Sequence, residues 1–181
     1  MWLAEVKAKA KRKNQILFSK DSPLFEDLHR LIANTNRRAL VLWALELAEE
    51  TAVQLEAKYP DHRPREAIVT TRAWAAGEIK MPIAKRAILD CHAMAKELTD
   101  PADIARCHAV GQACGVVHTA GHALGYPMYE LTAIVLEHGL DNCRDFIEAR
   151  TLQYMEKLLF HQKQEPSLSA NWAAFLRKKF L

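Results

Sequence analysis

From Cys107 to Gly125 the chain reads CHAVGQACGVVHTAGHALG, a stretch without one aspartate, glutamate, lysine or arginine. A helix that is apolar or small on every side is buried on every side, so the other elements must wrap around this one. Four of the six glycines in the chain fall here, at Gly111, Gly115, Gly121 and Gly125. Each costs roughly 0.8–1 kcal/mol relative to alanine inside a helix, and close approach of neighbouring helices is the gain that offsets such a cost. With so few glycines elsewhere, the remaining chain has little turn punctuation, which predicts long helices.

Helix start and stop signals bear this out along the sequence. Residues 1–13 read as a short basic helix or a frayed end, and residues 14–20 carry no clear signal. Ser22-Pro23 reads as a cap and a first helical residue, opening a helix to about Ala33 with Leu24, Phe25, Leu28, Leu31 and Ile32 on one face. Thr35 or Asn36 caps a helix to about Lys58. After a turn at residues 59–63, Pro64 starts a helix that ends near Gly77. Pro82 opens the next, with Ile83 to Leu98 as its body. Thr99 or Asp100 caps the central helix, which begins at Pro101, continues through the uncharged stretch and is interrupted at Gly125-Tyr126-Pro127. A helix from Pro127 to His138 follows, closed by Gly139 at positive φ. Asp141 or Asn142 caps a helix to about Gln162. Ser167 or Ser169 caps a last one ending in Arg177-Lys178-Lys179, cations suited to a helix C-terminus.

No strand-period alternation of useful length occurs. The predicted fold is all-α, a single-domain bundle of about eight helices around a buried Gly/Ala/His-rich central helix. Residues 1–35 form a basic N-terminal arm and first helix, 36–137 the helical core, and 138–181 C-terminal helices packing on it.

The net charge of +3 is unevenly spread: residues 1–20 hold six lysines and arginines against Glu5 alone, a local +5. This basic run has no interleaved aromatic beyond Trp2, so it reads as a solvated face or flexible arm, and a nucleic acid is not an expected partner. No secretory apolar segment precedes a cleavage site. The four cysteines lie in helical patterns, which suits the cytoplasm and free thiols. The uncharged stretch is long enough for a membrane span, but its histidines, glutamine and glycines make it a poor one.

Several constellations could carry chemistry. His118 and His122 have the i, i+4 spacing that turns two imidazoles to one metal, and Cys114 lies a turn earlier. The glutamate that zinc peptidases place between two such histidines is absent, and the Cys91-His92 and Cys107-His108 pairs lack a CxxC partner, so a full zinc ligand set is not visible. The other reading is a pair of buried, neutral, hydrogen-bonded imidazoles. In the turn, Arg63 and Arg65 close to Asp61 and Glu66 suggest an ion-pair network that fixes the start of the Pro64 helix, or a surface for an acidic partner. Trp74, among small residues, reads as a core anchor. Glu78, poorly placed at a helix C-terminus, is a candidate for pairing with an arginine or histidine elsewhere. No P-loop, dinucleotide fingerprint, nucleophile elbow or catalytic carboxylate pair is present, no cofactor is implied, and nothing in the spacing establishes an enzyme.

The order of the motifs is more specific than any one of them. Trp43-Ala44 with Glu50 is followed by Pro60-Asp61-x-Arg63-Pro64-Arg65-x-Ala67-Ile68. Then come Arg72-Ala73-Trp74-Ala75-x-Gly77-Glu78, Ala109-x-Gly111-Gln112-Ala113 and His118-x-x-x-His122-Ala123-x-Gly125. Over roughly residues 36–137 this resembles the immunity protein 5-like family of bacterial polymorphic toxin systems. The resemblance implies an all-α intracellular protein that neutralises a cognate toxin by protein–protein occlusion. The family's recurrent positions fall on Asp61, Arg63, Pro64, Arg65, Trp74, Gly77, Glu78, Gln112, His118 and His122. They are expected to form a shared polar network in the bundle or a small-ligand pocket. The alternative function is a metal- or small-ligand-binding helical enzyme using His118 and His122, with Glu78 as acid–base partner. A second copy of the chain is a possible partner.

Overall fold

The computed structural model describes residues 2–167 and 171–177. Among these the chain forms α1 (Trp2–Lys11), α2 (Glu26–Ala33), α3 (Arg37–Glu56), α4 (Arg63–Ala76), α5 (Met81–Met94), α6 (Pro101–Gly115), α7 (Gly125–His138), α8 (Arg144–Gln164) and a single turn, α9 (Ala174–Arg177). No strand occurs among the described residues, and none of their helices is long and apolar enough to cross a membrane. The all-α bundle expected from the helical periodicity is therefore what the chain forms, built around α6, which packs against α3, α4, α5 and α7.

The caps show why most boundaries fall where they do. Asn36 accepts a hydrogen bond from the Ala39 N–H and starts α3. Asp100 accepts from the Ala102 and Asp103 N–H groups, with Pro101 as first residue of α6. Gly77 takes φ +80 at the end of α4, and the Gly77 and Glu78 N–H groups return to Trp74 and Ala73. This is a Schellman closure, which needs a residue that tolerates the left-handed region. Two caps differ from expectation. Ser22 makes no cap bond, and Pro23–Phe25 is a 3-10 turn leading into α2. Neither Asp141 nor Asn142 caps α8, which starts after Cys143 without a side-chain cap. Of the expected last helix, Ser169, Lys178 and Lys179 lie outside the described residues.

The uncharged stretch is not one helix. It leaves helical geometry at Val116, turns through Val117–Thr119, makes a 3-10 turn at Ala120–His122 and re-enters a helix at Gly125. Two β-branched valines and a threonine follow Gly115, a weak helical run. Arg37 donates from Nη2 to the Val116 and Val117 carbonyls (3.1 and 2.8 Å), and Thr119 Oγ1 accepts from the Gly121 N–H. Along α6, Ala105, Cys107, Ala109, Val110, Ala113 and Cys114 are buried, and beyond its end so are Val116, Val117, Ala123 and Leu124.

The basic N-terminal segment is held to the bundle rather than free. Trp2 and Val6 are buried, Trp2 meets Phe18, and Glu5 accepts from the Ser19 hydroxyl and N–H. Lys7 is paired to Asp141 and the half-buried Lys9 to Glu5, while Lys11, Arg12 and Lys13 are exposed.

Charged groups also lie inside the bundle. Arg150 of α8 grips Glu130 of α7 with Nε and Nη2, both at 2.9 Å, and reaches Glu50 of α3 at 2.9 Å. Tyr154 donates its hydroxyl to the same Glu130. Beside it, Tyr126 donates to the Leu47 carbonyl (2.9 Å), so the Thr51 hydroxyl at 2.7 Å donates to Tyr126. The network ties α3, α7 and α8 together, and Trp43 adds a bond from Nε1 to the Tyr154 carbonyl (3.0 Å). Removing one partner of a buried pair leaves an uncompensated charge, at a cost of about 3–5 kcal/mol. Arg150→Leu is therefore expected to lose stability of that order in urea unfolding, and Arg150→Leu/Glu130→Leu to recover most of it; additive losses would show that the pair is not coupled.

Candidate functional site

The motif residues gather in three places rather than in one network. The first is the start of α4. Asp61 accepts from the Arg63 N–H at 3.0 Å, so Asp61 performs the capping that Arg63 could not; Arg63 is the first helical residue, and His62 makes no cap bond. The Arg63 guanidinium holds both Asp61 oxygens (Nε at 3.1 and 3.0 Å) and reaches across to Glu97, past the end of α5, at 2.9 and 2.7 Å. Hydrogen bonding to Glu97 and then Asp61 raises the Arg63 pKa, and Arg63 holds the Asp61 carboxyl below the usual carboxylate range. Arg65 makes a two-pronged contact with Glu56 of α3 (3.1 and 2.8 Å). Such forked pairs fix geometry as well as charge. Both arginines are thus bound within the fold, while Glu66 lies exposed.

The second place is the far end of α4. Trp74 is buried, as expected of an anchor, between the His118 ring (centroids 6.4 Å apart, stacked) and Phe175 of α9 (5.7 Å). The Ala173 N–H donates to the Ala75 carbonyl at 2.8 Å, and a Cβ on Gly77 would lie 3.4 Å from the Ala173 backbone. Glu78 serves through its backbone in the helix closure. Its side chain is exposed and makes no hydrogen bond or ion pair among the described residues, so the partner expected for it is not found there.

The third place lies on α6. His122 donates from Nδ1 to the Gln112 carbonyl oxygen at 2.9 Å. On the same side, His92 of α5 and His108 of α6 face each other Nδ1 to Nδ1 at 2.8 Å, and His108 lies 5.2 Å from the Tyr129 ring. One imidazole donates and the other accepts, so the two hold opposite tautomers. The glycines explain how the rings fit. A Cβ at Gly111 would collide with the His92 ring, one at Gly115 would lie 3.0 Å from His122 Cγ, and one at Gly125 would strike Gln112. Burial, reinforced by His108 and His122, pushes His92 down to about 4; burial also lowers His108, and burial with His118 lowers His122. At neutral pH His92 is an uncharged hydrogen-bonding group.

The one-helix i, i+4 geometry weighed for His118 and His122 is not formed. Because the helix ends at Gly115, His118 and His122 do not share a helical face: His118 is exposed in the turn on Trp74, and His122 is turned to Gln112. Cys114 is fully buried, and burial pushes its thiol up to about 12, away from the thiolate that metals require. Among the described residues no three His, Cys, Asp or Glu side chains are grouped to hold a metal ion. In the sequence, His92 and His108 read only as members of isolated Cys-His pairs. The readable signal was the glycine one turn after His108, which makes room for a ring from the neighbouring helix. Asp103, fully buried in the first turn of α6 with Lys58, Tyr59 and Arg106 on its oxygens, was not foreseen.

Comparison with known proteins adds one result. Residues 30–157 match the family model described as Imm-5 like putative immunity protein. No curated protein and no solved structure matches the chain.

Two outcomes follow from the third cluster. Gly111→Ala drives a methyl into His92 and is expected to destabilise by about 1–3 kcal/mol in chemical unfolding, as overpacking does. Adding His92→Ala should restore much of the loss; no restoration would mean that the ring is not the obstacle. The second outcome concerns pH. A histidine whose pKa is lower in the fold than in the unfolded chain takes up a proton on unfolding, so stability falls as pH drops through that window. For His92 the window runs from the ordinary 6.5 down to about 4. The melting temperature should therefore fall between about pH 6.5 and 5, where carboxylates are still largely ionised, and fall less in His92→Gln.

Proposed function

Because the chain belongs to the Imm-5 like immunity protein family, we propose that it binds a toxin protein and neutralises it by occlusion, without chemistry of its own. In this reading it is a bacterial protein that acts in the cytoplasm of the cell it protects. The observation that carries the reading is the family match across most of the helical bundle.

The arrangement of the family's positions supports the same view. Asp61, Arg63, Arg65, Trp74, Gln112 and His122 are bonded to or stacked on other parts of the same chain. Residues used in this way preserve a scaffold, and leave the outer faces of the helices to suit a particular toxin. Binding through such a surface needs shape and charge complementarity rather than a reactive group.

The test is protection. Co-expression with the toxin encoded beside its gene is expected to restore growth, and the two proteins should co-purify as a stable complex. A neighbouring gene that encodes no toxin, together with no protection and no complex, would overturn the proposal.

A further inference from the structure

A cavity of about 740 Å3 opens between the end of α2, the start of α3, the Thr119–Ala120 turn and α9. Its polar lining includes Asn34, Arg37, Arg38, Thr119 and Arg177, and no carboxylate lines it among the described residues. The three guanidinium groups differ in what they already hold. Arg38 is neutralised by the buried Glu165 carboxylate at 2.6 Å. Arg177 is exposed and has no ion pair among the described residues. Arg37 spends Nη2 on the Val116 and Val117 carbonyls and faces no carboxylate among the described residues. Its Nε is buried and donates to nothing.

A buried donor without an acceptor costs about 1–3 kcal/mol, more when the group is charged, and so calls for a partner. We propose that this cavity binds a small organic phosphate, with Arg37 and Arg177 holding the phosphoryl oxygens. The two cations that lack a carboxylate match the charge of a phosphate monoester, about −1.5 to −2 near neutral pH. A carboxylate would leave one of them unpaired. Planar guanidinium donors suit phosphoryl oxygens in a forked geometry. The cavity also has an apolar lining, Ile32, Ala33, Leu40 and Leu176, and the volume falls in the range of small-molecule sites, about 300–1,000 Å3. A bare phosphate would leave this lining uncovered, so the ligand carries an organic body.

The test is a titration of the full chain with phenyl phosphate, followed by calorimetry and by the Arg37 Nε–H resonance in a nitrogen-proton spectrum, with benzoate as the carboxylate arm. Saturable binding of phenyl phosphate that shifts this resonance, with clearly weaker binding of benzoate, is expected. Arg177→Gln, at an exposed position, should weaken binding roughly tenfold, equivalent to about 1.4 kcal/mol. Arg37→Lys keeps the charge, removes the Nε donor and should weaken it at least as much, with a thermal melt to confirm folding. Arg86→Gln, remote on α5, should change nothing. The proposal is overturned by no saturable binding at millimolar phenyl phosphate, by benzoate binding equally well, or by undiminished binding in Arg177→Gln. That last variant decides the matter even if Arg37→Lys does not fold.

Discussion

The thinness of α6 sets the rest of the structure. Helices approach to a distance fixed by the side chains between them. Along α6 these are mainly alanines, a cysteine pair and two glycines. Four helices therefore reach one rod at once, and the gaps left at Gly111 and Gly115 are filled by imidazole rings from outside it. Charge is confined to its ends. Asp103 and Arg106 sit in its first two turns, where the carboxylate of Asp103 also favours the helix dipole. At the other end Arg37 satisfies carbonyls that would otherwise be left bare.

Much of the fold was legible in the sequence because its signals are local. Asn36, Asp100, Gly77 and Gly139 mark helix ends through short-range hydrogen bonding and permitted φ. The break after Gly115 was not legible, since what donates to the freed carbonyls is Arg37, on another helix. The same holds for the buried ions. Glu130 and Arg150 each look like an ordinary surface residue in their own helical pattern, and only the packing of α7 on α8 makes them a buried pair. The candidate residues could be named one by one from the sequence but not as an assembly, because their grouping into three places depends on contacts distant in sequence.

This grouping separates two kinds of residue in the family pattern. Asp61, Arg63 and Arg65 fasten the start of one helix to its neighbours through charge. Gly111, Gln112 and His122 control how closely helices approach. Neither task changes with what the outer surface touches, so a single motif set can be retained beneath many different exteriors. The pattern thus reports the frame of the molecule more directly than its recognition surface.

The contact of Ala173 with Ala75 has a consequence for the order of assembly. The bundle elements through α8 are made before residues 171–177 emerge from the ribosome, and nascent chains fold as their parts become available. Until then the outer face of Trp74 and the carbonyl of Ala75 have no cover from that segment. The nascent bundle therefore passes through a stage in which an aromatic ring at the end of α4 is open to chaperones or to other chains, and synthesis of α9 closes it.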